Sequence, residues 1–293
     1  MKKILVIGST VADIHIHLDQ LPALEEDVNI HYQKMTLGGC AFNVASVIAD
    51  LGVPCTLFSP VGKGIYGDFI LKESASAKVQ PCLRSEEENG CCYCLIDQEG
   101  NRTFMSVHGA EYHFKEEWFN ELDPTPYDLI YVCGLEVEEE SGKYIIDFLK
   151  KNTERYICYA PGGRICEIPV AKNEETMSAC SLLHLNRREA LAYLEKLNDP
   201  AENAREAAKK LNARYNCDVV ITDGAREVVS CENGDLRVYP VKPVKQKNST
   251  GAGDAHCAAI LACRAKGETL DEAVRHANEV SAKVVMSDSS GKE

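Results

Sequence analysis

The sequence predicts an α/β protein in which a doubly wound, mostly parallel sheet is flanked by helices and carries a small second sheet. Three observations lead there. Short apolar runs alternate with segments whose apolar residues recur every three or four positions, the pattern of strand-helix-strand units around a parallel sheet. Two pairs of segments in the N-terminal half break that alternation with period-two patterning. The chain has 293 residues, 45% of them hydrophobic, which is enough for one large core without disulfides or metals to hold it.

Taken in order, the apolar runs at residues 3–8, 56–61, 129–133, 156–160, 181–185 and 218–222 are predicted as buried parallel strands. Helical spacing fills the intervals at 43–51, 65–77, 139–152, 187–196 and 201–215. The alternating segments are 11–18 with 29–37, and 90–97 with 101–108, read as half-exposed antiparallel strands. Gln98-Glu99-Gly100 is a turn-like linker that makes the second pair a hairpin. Both pairs interrupt the same half of the chain, so the economical arrangement is one small sheet, within 11–37 and 90–108, projecting from a single domain spanning 1–293.

The formal net charge of −13 argues against nucleic-acid partners and anionic membranes, since a surface of that sign repels both. No stretch is long enough to span a bilayer. Fourteen cysteines would suggest disulfides in a small secreted protein. However, the opening Met1-Lys2-Lys3-Ile4-Leu5-Val6-Ile7-Gly8 is too short an apolar run for a signal peptide, and a cytoplasmic location is expected. Cys133, Cys158 and Cys217 lie in apolar runs and read as small core residues rather than metal ligands. The tightest cluster, Cys91-Cys92-Tyr93-Cys94, lies in a predicted strand.

Chemistry is concentrated at Asn248-Ser249-Thr250-Gly251-Ala252-Gly253-Asp254, which runs into the small-residue helical stretch 255–261. Gly251 and Gly253, flanking Ala252, let backbone N–H groups turn toward one point, and the helix adds its positive N-terminal end there. Anionic oxygens settle at such a point. Asp254, in the first helical turn, is then placed to take a proton from an attacking hydroxyl, which points to phosphoryl transfer. The plainer alternative is a strand-to-helix turn with Asp254 as a cap.

A second motif, Gly38-Gly39-Cys40-Ala41-Phe42-Asn43-Val44-Ala45, precedes an apolar helix and Gly52 and Gly62. With both motifs in this order, the chain resembles the ribokinase-like, or PfkB, sugar kinases. These carry Gly-Gly-x-x-x-Asn-x-Ala in their N-terminal third and Asn/Asp-x-Thr-Gly-Ala-Gly-Asp near the C-terminus. The resemblance covers nearly the whole chain. It implies a ribokinase-like fold whose small sheet is a substrate lid, ATP as phosphate donor, Mg²⁺, and transfer to the hydroxymethyl group of a small sugar. Asp254 would be the catalytic base, with Gly251, Ala252 and Gly253 forming the anion hole.

Further roles follow from the resemblance, each beside a plainer one. Asp13 lies just beyond the first strand, where ligands of open α/β sheets collect, and the family's aspartate there binds sugar hydroxyls; the alternative is a solvated strand aspartate. Gly38 and Gly39 allow close backbone approach to the sugar, and Asn43 offers a donor and an acceptor, though alone it would pass as a helix cap. Cys40 stands where some kinases of sugar phosphates carry lysine, so a phosphorylated substrate is disfavoured. Asn186 and Glu189 match an Asn-x-x-Glu motif that organises Mg²⁺ and phosphate, with Glu189 acting on the metal through water; the same spacing reads as a capping box.

Thr222 and Gly224 match a Thr-x-Gly segment at the nucleotide phosphates, although Glu227 replaces a common second glycine. Asn278 falls where relatives carry Asn or His beside adenine. Many relatives use K⁺. Here Asn248 replaces a frequent aspartate and the chain stops soon after residues 287–291, which weakens the expectation of K⁺ dependence.

Within the kinase reading a nucleoside, pseudouridine-like or other, is the alternative to a sugar, with Phe42, Tyr93, Phe104 and Met105 as candidate walls for a base. A catalytically silent nucleotide or sugar sensor is a second class, against which the intact Asp254 argues. A dinucleotide oxidoreductase is disfavoured because Gly8-Ser9-Thr10-Val11-Ala12-Asp13 lacks Gly-x-Gly-x-x-Gly. Apolar alternation in an exposed lid also suggests pairing with a second copy as a homodimer.

Overall fold

The computed structural model describes residues 2–244 and 251–286. The chain begins with β1 (Ile4–Ile7), passes through β2 (Val11–His17) and β3 (Tyr32–Gly38), and enters α1 (Cys40–Asp50). β4 (Cys55–Lys63), α2 (Gly64–Ser74) and β5 (Pro81–Glu88) follow, then the hairpin of β6 (Cys91–Ile96) and β7 (Arg102–Val107). The central part runs through α3 (Glu116–Glu121), β8 (Leu129–Cys133), α4 (Gly134–Glu138), α5 (Gly142–Lys150), β9 (Tyr156–Ala160), α6 (Val170–Ser178) and β10 (Leu182–Asn186). It ends with α7 (Arg187–Lys196), α8 (Ala204–Tyr215), β11 (Asp218–Thr222), β12 (Glu227–Glu232), β13 (Asp235–Pro240), α9 (Ala252–Ala265) and α10 (Leu270–Met286).

Nine strands form the large sheet in the order β13-β12-β11-β10-β9-β8-β1-β4-β5. All neighbours are parallel except β12, which is antiparallel to both β11 and β13. Strand order reverses at β1, with β4 on one side and β8 on the other, so the carboxyl ends of β1 and β8 open a crevice where ligands of such sheets bind. Both faces are covered. Leu5 and Ile7 pack with Ile145, Met177, Leu194 and Leu211 on one face, while Ile4 and Val6 pack with Val44, Ile260 and Val274 on the other. Burial on both faces is why these strands read as unbroken apolar runs rather than alternations.

The small sheet has the order β3-β2-β6-β7 and joins both alternating pairs. β2 pairs antiparallel with β3, and β6 with β7, but β2 and β6 run parallel, so the sheet is not antiparallel throughout. Each hairpin keeps its own direction, and their meeting is set by where each leaves the large sheet. The inner face rests on Val61 and Ile70 through Ala12, Ile14 and Cys91. Cys91 and Cys94, three residues apart, stand on opposite faces of β6, as odd spacing in a strand requires, and do not converge on one point. Buried Glu111 anchors the hairpin, accepting hydrogen bonds from the Gly90 and Gly109 amides at 2.8 and 3.2 Å.

Several boundaries differ from the sequence reading. The first helix begins at Cys40 rather than Asn43, because Gly39, at φ +92°, already turns the chain into it. The helix expected over 139–152 is the shorter α5, and α4, which was not expected, precedes it and ends at Glu139 with an extended ψ of 157°. β5 was not predicted; its Ser-Glu-Glu-Glu end is polar, and it is a strand because β4 supplies its ladder. The hairpin of β12 and β13 was likewise missed. No described helix is long and apolar enough to cross a membrane.

α9 is apolar around most of its circumference because α1, α10 and the sheet enclose it, and its alanines and cysteines let those neighbours come close. Ile260 is fully buried there. We expect Ile260→Ala to lower unfolding free energy by about 2–5 kcal/mol, read as a reduced urea midpoint at an unchanged slope.

Candidate active site

The N-terminus of α9 reaches the crevice. Gly251 is its N-cap, left-handed at φ 76°, and no described side chain caps the helix. Gly253, the second helical residue, is exposed, and a Cβ built on it would meet nothing within 4 Å, so the opening of the helix is sterically free. Asp254 is third in the helix, and its carboxylate does not cap it. Instead Oδ2 accepts a hydrogen bond from Asn43 Nδ2 at 2.9 Å, across 211 residues of chain. The Cys40 thiol also donates to it. Burial raises the Asp254 pKa, and these two hydrogen bonds partly oppose that rise. Asn43 is therefore inside α1 and engaged with Asp254, not a cap.

Asp13 comes from β2, beside the last residue of β3. A Cβ on Gly38 would lie 1.8 Å from Asp13 Oδ2, so glycine is required for that carboxylate to stand where it does. A Cβ on Gly39 would strike the Ser9 carbonyl oxygen at 2.6 Å. The Asp13 pKa is pushed from 3.8 to about 7, first by burial and then by the charge of Asp254. The structure thus brings Asp13, Gly38, Gly39, Asn43 and Asp254 to one side of the α9 N-terminus.

On the other side, a cavity of about 100 Å³ is shared by Asp254, Gly253, Asn186, Glu189, Thr222 and Cys40. Asn186 and Glu189 form the full capping box of α7: Asn186 Oδ1 accepts from the Glu189 amide and Glu189 Oε2 from the Asn186 amide, both at 2.9 Å. Capping and facing the cavity hold together. Burial and then the Asp254 charge raise the Glu189 pKa, and these two carboxylates are hard oxygen donors of the type that fits Mg²⁺.

An adjoining cavity of about 190 Å³ is lined by Thr222, Gly224, Ala252, Gly253 and Asn278, among others. Asn278 is no free surface residue, since its Oδ1 bonds His256 Nε2 at 3.0 Å. Glu227, the departure from the family pattern, turns away to form two hydrogen bonds with Arg205 at 3.0 and 2.6 Å. Arg164, a cation that would have to stand in for the absent lysine, is held by Glu138. Asn248 and residues 287–291, on which the K⁺ expectation rests, lie outside the described residues.

The sequence reading missed Glu136. It is fully buried in α4, directly after β8 at the strand-order reversal; Oε1 accepts from the Ser9 amide at 2.8 Å, and Oε2 has no hydrogen-bond partner among the described residues. Burial raises its pKa. An acidic residue inside the apolar run Val132-Cys133-Gly134-Leu135-Glu136-Val137 was the available signal. Also missed was His184, which lines the smaller cavity. A separate Cys263, Glu268 and His276 cluster has metal-ligand chemistry but lies near the far end of α9.

The family model described as pfkB family carbohydrate kinase matches residues 1–292. A protein of Escherichia coli (strain K12) described as the uncharacterized sugar kinase YegV is 28% identical over 290 residues, covering 97% of this chain and 88% of that protein. A nucleoside kinase of Methanothermobacter thermautotrophicus is 24% identical over 290 residues, covering 97% and 89%. The crystal structure of ribokinase from Thermotoga maritima superposes with a TM-score of 0.87 at 20% identity, covering 99% and 95%, and establishes the fold as ribokinase-like.

A raised carboxyl pKa means the folded state holds its proton more tightly than the unfolded chain, so that contribution to stability is lost as pH rises from 3.8 through about 7. We therefore expect the melting temperature of wild type, relative to Asp13→Asn, to fall progressively as pH rises from 3.8 to about 7 and to level off above that. Thermal melts of the ligand-free proteins across this range check the sign.

Proposed function

The chain belongs to the pfkB family of carbohydrate kinases, and on that premise we propose that it transfers the γ-phosphoryl group of ATP to a hydroxymethyl group of a small sugar. The observation that carries this reading is the position of Asp254, bonded to Asn43, between Asp13 on one side and the two adjoining cavities on the other. Asp13, with the backbone at Gly38 and Gly39, orients the sugar hydroxyls. Asp254 accepts the proton of the primary hydroxyl as its oxygen attacks the γ-phosphorus, and ADP leaves in line. The amides of Gly251, Ala252 and Gly253 stabilise the charge on the moving group. Thr222 and Gly224 face the nucleotide phosphates, and Asn278 the base. Asn186 and Glu189 would hold Mg²⁺ through its waters, neutralising phosphate charge.

We read residues 1–293 as one domain whose small sheet closes over the sugar and excludes water, which would otherwise compete as acceptor. A nucleoside substrate is the second reading, favoured by the nucleoside kinase among the relatives. The sugar ranks first because of the four candidate base walls Phe42 is in the core, while Phe104 and Met105 lie outward at 56% and 51% exposure. Tyr93 is half-buried, its hydroxyl 3.2 Å from that of Tyr66.

The test is ADP release from Mg-ATP over a panel of sugars and nucleosides, with and without K⁺, for wild type and Asp254→Asn. A sugar should be turned over, and the variant should lose about 10²–10⁴-fold in kcat with KM nearly unchanged. Near-normal turnover by Asp254→Asn would refute the base. A nucleoside as the one hit moves the assignment to the second reading, and ATP binding without turnover of any acceptor favours a sensor.

The open edges of the small sheet at β3 and β7, with Phe104, Met105 and Val107 exposed, support pairing with a second copy. Sedimentation at micromolar concentration should give a dimer, and a monomer alone removes the idea.

A further inference from the structure

We propose that a buried histidine pair, His184 and His256, fixes the direction of the Asn278 side-chain amide, so that the nucleotide slot presents Asn278 Nδ2 as a donor and selects a base by a hydrogen-bond acceptor on its edge. The inference rests on the nucleotide reading above and adds to it which edge chemistry the slot recognises.

The slot that holds Asn278 is walled largely by apolar groups, among them Val228, Val241, Ala282 and Val285. Such walls hold the two faces of a flat base but do not distinguish one edge from another; a few placed polar groups do that. Asn278 is one of them. A free Asn side chain turns over and offers either its oxygen or its nitrogen. This one is held from behind.

His184 Nε2 lies 2.9 Å from His256 Nδ1, and His256 Nε2 lies 3.0 Å from Asn278 Oδ1. His184 and His256 are 6% and 2% exposed. Two N–H groups cannot face each other across the 2.9 Å contact, and neither ring has a carboxylate as a hydrogen-bond partner among the described residues, so each imidazole carries one proton. An amide oxygen only accepts, so His256 must carry its proton on Nε2. Its Nδ1 is then an acceptor, and His184 must donate from Nε2. Donation runs one way, from His184 to His256 to Asn278, leaving Asn278 Nδ2 for the slot. His184 also lines the cavity of Asp254, and His256 stands two residues after Asp254 on α9, so one helix positions the base catalyst and the base-reading amide.

Two measurements test this. Long-range ¹H–¹⁵N correlation spectra of the ligand-free protein at neutral pH should show both rings as Nε2–H tautomers; Nδ1–H tautomers would mean the reverse polarity, with Asn278 offering its oxygen, and would overturn the proposal. Calorimetric titration should then compare ADP with its 1-deaza, 3-deaza and 7-deaza analogues, each lacking one ring acceptor. Wild type should bind one analogue about tenfold more weakly than ADP, the scale of one hydrogen bond. His256→Phe should bind ADP about tenfold more weakly and no longer distinguish that analogue. Asn278→Ala, at a half-buried position that leaves both histidines in place, should lose the same discrimination and stands in if the aromatic replacement does not fold. Equal binding of all analogues by wild type, or discrimination retained by either variant, overturns the relay while leaving nucleotide binding intact. Failure of wild type to bind ADP at all overturns the nucleotide reading, and the tautomers are observed independently of it.

Discussion

The hydrogen bond from Asn43 to Asp254 joins the two ends of the fold. Asn43 belongs to the helix that follows the small sheet's first hairpin, and Asp254 to the first turn of α9, 211 residues away. For that bond to form, α1 and α9 must lie side by side on one face of the sheet, with their N-termini at its carboxyl edge. The small side chains of α9 make the close approach possible, and burial of α9 by α1, α10 and the strands fixes it. The opening of the helix and the groups around Asp254 take their places from that packing.

The crevice is also electrostatically uneven. Asp13, Glu136, Glu189 and Asp254 all have raised pKa values, with burial the largest cause in each, and Asp254 adds its charge to Asp13 and Glu189. In a chain already at −13 such crowding opposes ionisation and costs stability above the pKa of each group. On the proposed reading, a cation near Glu189, hydroxyl donors near Asp13 or a proton on Asp254 would relieve it.

Much of this was written locally in the chain. Residues 187–196 read as a helix and are one, because a capping box and a three-to-four spacing are contiguous signals. Gly38-Gly39 and Gly251-Ala252-Gly253-Asp254 stood out because they specify backbone geometry residue by residue. β5 and the β12–β13 hairpin escaped because their polar ends resemble loops, and they are strands only because a neighbour completes the ladder.

By itself, then, the sequence determined the strand and helix alternation, the two glycine turns and the presence of a carboxylate at the head of a helix, all of which depend on periods and dihedrals within a few residues. Tertiary structure alone decided that Asn43 meets Asp254, that β2 and β6 run parallel, that Glu136 is buried at the strand-order reversal, and that His184, His256 and Asn278 form a single line. Those contacts join residues 22 to 211 positions apart, or depend on which strands become neighbours, and no local period encodes them; packing on the two faces of the sheet brings them together.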